Sequence, residues 1–167
     1  RPEDTFGESQ YKGTIPSILE TLTEEGLLTE SNGALCVFLD EFTDKNGGKQ
    51  AVIVQKSDGG YLYATTDLAA IRHRAHELEA DRILYFVDAR QTLHFRQIFA
   101  LARTAGLCTP NLALEHISNG AILNKAGKPF KTRDGNTVKL ADLIKESRER
   151  AKEIFLAKND EADLSSV

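Results

Sequence analysis

Apolar positions recur at helical spacing over 14–27, where Ile15, Ile18, Leu19 and Leu22 mark one face. Pro16 is tolerated in a first turn, and Gly26 can end the helix. The period then shortens. An edge strand is predicted over 28–31, a longer strand over 34–42 and its return over 51–55. Lys45-Asn46-Gly47-Gly48 supplies hairpin chemistry between the last two. Asp58-Gly59-Gly60 turns the chain before a further strand over 61–65. From there strands and helices alternate. Thr66 or Asp67 caps a helix reaching about residue 79. Residues 82–87 read as a continuous apolar strand of the buried, parallel kind. A helix over 91–105 carries Phe95, Ile98, Phe99 and Ala102 on one face and stops at Gly106. Residues 112–117 and 121–123 follow as strand material. The stretch 140–158 is amphipathic, with Leu140, Leu143, Ile144, Ala151, Ile154 and Phe155 as its expected buried stripe. Its acids interleave with Lys145, Arg148, Arg150 and Lys152 on a solvated, ion-paired face. The pattern predicts an α/β chain: a helix and antiparallel ribbon, then a doubly wound unit.

Composition narrows the class. At 167 residues the chain is one domain, or one domain with a small appendage, and 41% hydrophobic residues suffice for a core. A formal net charge of −4 argues against wholesale nucleic-acid binding by this piece. No apolar run approaches the ~20 residues that span a bilayer, and no signal segment opens the chain. Cys36 and Cys108 have no Cys-x-x-Cys spacing, so reduced thiols in a cytoplasmic protein are expected, without a disulfide framework or zinc site. The chain opens on Arg1 and contains no methionine, which reads as a piece cut from a longer protein.

Against this mildly acidic background, 125–139 gathers Lys125, Lys128, Lys131, Arg133 and Lys139 around a single acid, Asp134, with Gly127, Pro129 and Gly135 between them. Cations and amide donors on a backbone able to close over polyphosphate are what a phosphate clamp requires; a solvated basic turn is the plain alternative. In a doubly wound sheet, ligands sit at the carboxyl ends of the strands. Tyr63 and Asp67 fall at the first strand-to-helix junction, Asp88, Arg90 and Gln91 at the second, and the basic loop after the third. Asp67 is either a helix cap or a carboxylate facing a cation, for which a guanidinium offers paired charge-assisted hydrogen bonds. Tyr61 and Tyr63, two apart on a strand, either pack in the core or place a phenol on a ligand. Gln91 is either an exposed first-turn residue or an amide that reads polar ligand groups. His94, one turn on, is structural or functional. His73, His76 and His116 have no complete ligand spacing, and no protein-bound metal is expected.

The runs 61–74 (YLYATTDLAAIRHR), 80–95 (ADRILYFVDARQTLHF) and 127–143 (GKPFKTRDGNTVKLADL) together resemble the arginyl-tRNA synthetases of bacteria, a family of class I aminoacyl-tRNA synthetases. The opening RPEDTFGESQY and the FLDEF at 38–42 share the resemblance, which covers essentially the whole chain. It implies the second half of a Rossmann-type catalytic sheet with helices on its faces (59–139), preceded by a small α+β insertion with an antiparallel ribbon (1–58). A helix leading toward a further domain would occupy 140–167. It also implies arginine, ATP with Mg2+, and tRNA(Arg) as substrates and partners, and formation of arginyl-adenylate before transfer to tRNA. By position, Tyr63, Asp67 and Gln91 would hold arginine. His94, Gly120, Lys128, Lys131 and Arg133 would contact ATP, with Lys128 and Lys131 the catalytic phosphate contacts. The chain departs from the family in two ways. Asn119-Gly120 stands where an aromatic–glycine pair is usual, and the H-I-G-H-type motif is absent, so this piece alone is expected to be inactive. A non-catalytic arginine-binding paralogue and an unrelated nucleotide-binding α/β module are the alternatives.

Overall fold

The helical period near the start of the chain forms a 3-10 helix, Glu8–Thr14, that runs into α1 (Ile15–Glu24) in the computed structural model, which describes residues 5–120 and 139–158. Pro16 sits in the first turn of α1, where its missing N–H costs nothing, and Gly26 ends the helix at φ 66°. Three strands follow, β1 (Thr29–Ser31), β2 (Ala34–Thr43) and β3 (Lys49–Gln55), forming an antiparallel sheet in that order. The β2–β3 turn is closed by Asp44, whose carboxylate accepts the N–H groups of Asn46 at 2.7 Å and Gly48 at 2.8 Å. These elements match the expected ribbon.

The further strand over 61–65 is not there. Only a single bridge, Gln55 to Tyr61, continues the sheet, and α2 (Tyr63–His76) begins two residues later. Leu62 is extended, and its carbonyl accepts from the N–H groups of Thr65 at 3.0 Å and Thr66 at 3.4 Å, which starts the helix. Ala64, Thr65, Leu68, Ala69, Ala70 and Ile71 are buried along α2. That burial needs helical spacing and outweighs the strand preference of the tyrosines, which is a weak prior. The Thr65 side chain is fully buried, and its hydroxyl donates to the Val54 carbonyl of β3.

The α/β alternation then proceeds through β4 (Arg82–Asp88), a short 3-10 turn Ala89–Gln91, α3 (Thr92–Thr104) and β5 (Ala113–Asn119). β4 and β5 pair in parallel, in register from Arg82 beside Ala113 to Asp88 beside Asn119. β4 is not buried on both faces as its apolar run predicted. Ile83 and Tyr85 point into the core, while Leu84 and Phe86 are exposed. A continuous apolar strand implies helices on both faces. Among the described residues the helices cover one.

One hydrophobic core joins all of this. It runs from Tyr11, Ile15 and Ile18 through Val37, Val52 and Val54 to Leu68, Ile71, Ile98, Leu101 and Leu114, so residues on both sides of position 58 share it. The chain divides after Gly120 into two compact units, 1–120 and 121–167. In the second, the described part is α4 (Leu140–Lys158), which carries an Arg150–Glu146 ion pair one turn apart. The helix is where the periodicity put it, but the expected buried stripe is not buried: Leu140, Ile144, Ala151, Ile154 and Phe155 are exposed and Leu143 is half-buried. Amphipathic spacing identifies a face, not the surface that covers it. The basic loop and the strand material at 121–123 lie outside the described residues.

Candidate functional site

Starting α2 at Tyr63 changes what its residues can do. Asp67 no longer caps the helix; Leu62 holds that position, and Asp67 lies one turn inside. Tyr63 and Asp67 are four apart and share a helix face. That face continues through Thr66, Ala70 and Arg74, and all five residues line one cavity of about 500 Å³. Tyr85 and Val87 of β4, with Gln91 and Phe95 at the start of α3, form a second wall; Phe6, Glu8 and Tyr11 complete the lining. Three stretches of sequence thus converge near the carboxyl end of β4, and they bring together Tyr63, Asp67 and Gln91.

The cavity mixes rings and charges. Tyr63 is 73% exposed and free to meet a ligand, whereas Tyr61, exposed beside it in sequence, does not line this cavity. Tyr85 packs against Phe95 at 4.8 Å and Phe99 at 5.4 Å between ring centroids. Arg74 donates to the Tyr85 hydroxyl at 3.0 Å, and its guanidinium lies 5.5 Å from that ring's centre. Burial pushes the Tyr85 phenol up to about 12, against the opposing pull of Arg74. Tyr11 is buried, and its hydroxyl has no hydrogen-bond partner among the described residues.

His94 does not line the cavity but contacts Asp67, which does. Its Nε2 lies 2.7 Å from Asp67 Oδ2, with both side chains under one-third exposed. Asp88, at the end of β4, accepts the Arg90 N–H at 2.8 Å and two guanidinium contacts at 2.9 Å, and Arg90 holds its carboxyl below the usual carboxylate range. Asp88 and Arg90 are therefore occupied with each other. Gly120 follows β5, whose last residue Asn119 is beside Asp88, and a Cβ at Gly120 would meet nothing within 4 Å. Lys128, Lys131 and Arg133 lie outside the described residues.

His73 and His116 have structural surroundings. His73 packs against Phe6 at 4.7 Å and Tyr11 at 5.7 Å, and His116 Nε2 lies 2.9 Å from the Val87 carbonyl. Among the described residues no group of three or more His, Cys, Asp or Glu could hold a metal ion, and no helix is long and apolar enough to cross a membrane. Phe6, Glu8, Tyr11, Arg74 and Tyr85 were not foreseen in the cavity. Helical spacing from Asp67 through Ala70 to Arg74 is the signal that marks Arg74.

Comparison with known proteins supplies the lineage. A curated arginine–tRNA ligase from Hahella chejuensis is 54% identical over 158 residues, covering 95% of this chain and 27% of the relative. The one from Stutzerimonas stutzeri is 55% identical over 169 residues, covering 99% of this chain and 29% of the relative. The chain thus spans under one-third of the length of these curated relatives. A crystal structure of arginyl-tRNA synthetase from Plasmodium falciparum matches with a TM-score of 0.68 at 34% identity, over 93% of this chain and 24% of that one. The mixed α/β architecture, with its antiparallel sheet and parallel strand pair, accords with that likeness. The family described as tRNA synthetases class I (R), catalytic domain, matches residues 3–166, and the chain belongs to it.

Proposed function

We propose that this chain forms the arginine-binding part of an arginine–tRNA ligase that uses ATP to make arginyl-adenylate and passes arginine to tRNA(Arg). The observation that carries the reading is the convergence of Tyr63, Asp67 and Gln91 on one cavity in a chain of this family. Asp67 offers the guanidinium a carboxylate, which a planar fork engages with paired hydrogen bonds and an ammonium does not. The exposed Tyr63 ring supplies a face and a hydroxyl, and the Gln91 amide reads the remaining polar groups. A carboxylate oxygen of arginine attacks the α-phosphorus of ATP and pyrophosphate leaves. A hydroxyl of the terminal tRNA ribose then attacks the acyl carbon, and AMP leaves.

Lys128, Lys131 and Arg133 would offset the charge that builds on the phosphates during the first step, with Mg2+ arriving on ATP itself. Gly120, open on its Cβ side at the end of β5, suits close approach of a nucleotide to the backbone. The test is aminoacylation by the full-length product that carries this chain. Asp67→Asn keeps the shape and removes the charge. A hydrogen bond to a charged group contributes about 1.5–3 kcal/mol, so the arginine KM should rise at least tenfold with little change in the ATP KM. An unchanged arginine KM would contradict the reading.

A further inference from the structure

A carboxylate that recognises a planar guanidinium must be held in one plane, and carboxylate torsions are intrinsically broad. Asp67 has no backbone cap to hold it, because it lies one turn inside α2. The described structure gives its side chain one hydrogen-bond partner: the His94 ring, at 2.7 Å on Oδ2. Facing a carboxylate, which only accepts, Nε2 must carry the proton and donate. His94 in turn stands in the first turn of α3, three residues after Gln91, with its ring edge-on to Phe95 at 5.1 Å and 78°. The 3-10 turn that ends at Gln91 and the first turn of α3 therefore bring Gln91 to the cavity and the donor to Asp67.

We infer that His94 is a positioning residue for arginine recognition: by binding Oδ2 it fixes the plane of the Asp67 carboxylate and presents Oδ1 to the guanidinium. This differs from the ATP contact that the sequence resemblance implies for His94, and it rests on the reading of the cavity as an arginine site. Occupying Oδ2 does not forbid a forked contact, since a carboxylate oxygen accepts more than one hydrogen bond.

The full-length product carrying His94→Ala and, separately, His94→Gln tests this by aminoacylation, with arginine and ATP varied in turn. Glutamine retains an N–H donor able to reach toward Oδ2 but lacks the ring. His94→Ala should raise the arginine KM about tenfold and leave the ATP KM within about twofold. His94→Gln should recover most of the loss. Equal melting temperatures for the two variants would show that the difference comes from the donor and not from folding. A raised ATP KM with an unchanged arginine KM would overturn the inference in favour of a nucleotide contact. Equal arginine losses in the two variants would overturn it in favour of ring packing, and wild-type behaviour of His94→Ala would make His94 a bystander. Asp67→Asn separates the two levels. If it raises the arginine KM while His94→Ala does not, only the positioning role fails; if neither does, the arginine site itself fails.

Discussion

Asp67 and Tyr85 show how environment assigns a residue its work. The same carboxylate at a helix N-terminus would be a cap; one turn further in, beside phenols and braced by His94, it becomes the negative pole of a cavity. Tyr85 is the opposite case, a phenol kept neutral by burial against the pull of the Arg74 guanidinium that donates to its oxygen. Its ionisation moves from the ordinary 10.0 up to about 12. The folded state therefore favours the protonated form, so this contribution to stability is fully present below pH ~10 and is lost as pH rises toward 12. A phenolate absorbance titration should show a late step near pH 12 that Tyr85→Phe removes. A late step that persists in that variant would show that Tyr85 does not titrate there.

At the scale of elements, the join between the antiparallel sheet and α2 decides where the cavity wall stands. Thr65 makes that join, with no exposed surface and its hydroxyl on the Val54 carbonyl. Thr65→Val fills similar volume but leaves a buried carbonyl without its donor, at a cost of about 1–3 kcal/mol. Urea denaturation should show a lower midpoint at an unchanged slope; an unchanged midpoint would mean the contact contributes little. The same join explains what could and could not be read in advance. The periodicities of α1, β2, β3, α3 and β5 are carried by local side chains, and those elements stand close to where the spacing put them. Residues 61–65 mislead because their tyrosines favour a strand, whereas the burial of Thr65 and Leu68 that makes a helix is a long-range fact. A helix started at Thr66 or Asp67 contains Ala70 and Arg74 but leaves Tyr63 outside the face it shares with them. Tyr63, Asp67 and Gln91 are legible all the same, because their chemistry and the family motif are local. Phe6, Glu8 and Tyr11 reach the cavity from the chain's first turns, and no local signal marks such a distant contact.

For the molecule as a whole, unit 1–120 is held by a single core, yet it leaves one sheet face open. Phe86 pairs in register with Ile117 on that face, and Phe86 is 71% exposed. Cys36 and Cys108 lie inside, and burial pushes both thiols up, which disfavours the reactive thiolate. The described residues that line the candidate site, from Phe6 to Phe95, all belong to unit 1–120. This cavity is proposed to select arginine. The most direct test is an amide-resolved NMR titration of the chain with L-arginine, using L-lysine as control. Arginine-selective shifts centred on Tyr63, Asp67 and Gln91 are the expected result. Equal responses to lysine, shifts that centre elsewhere, or none in a well-folded sample would contradict it.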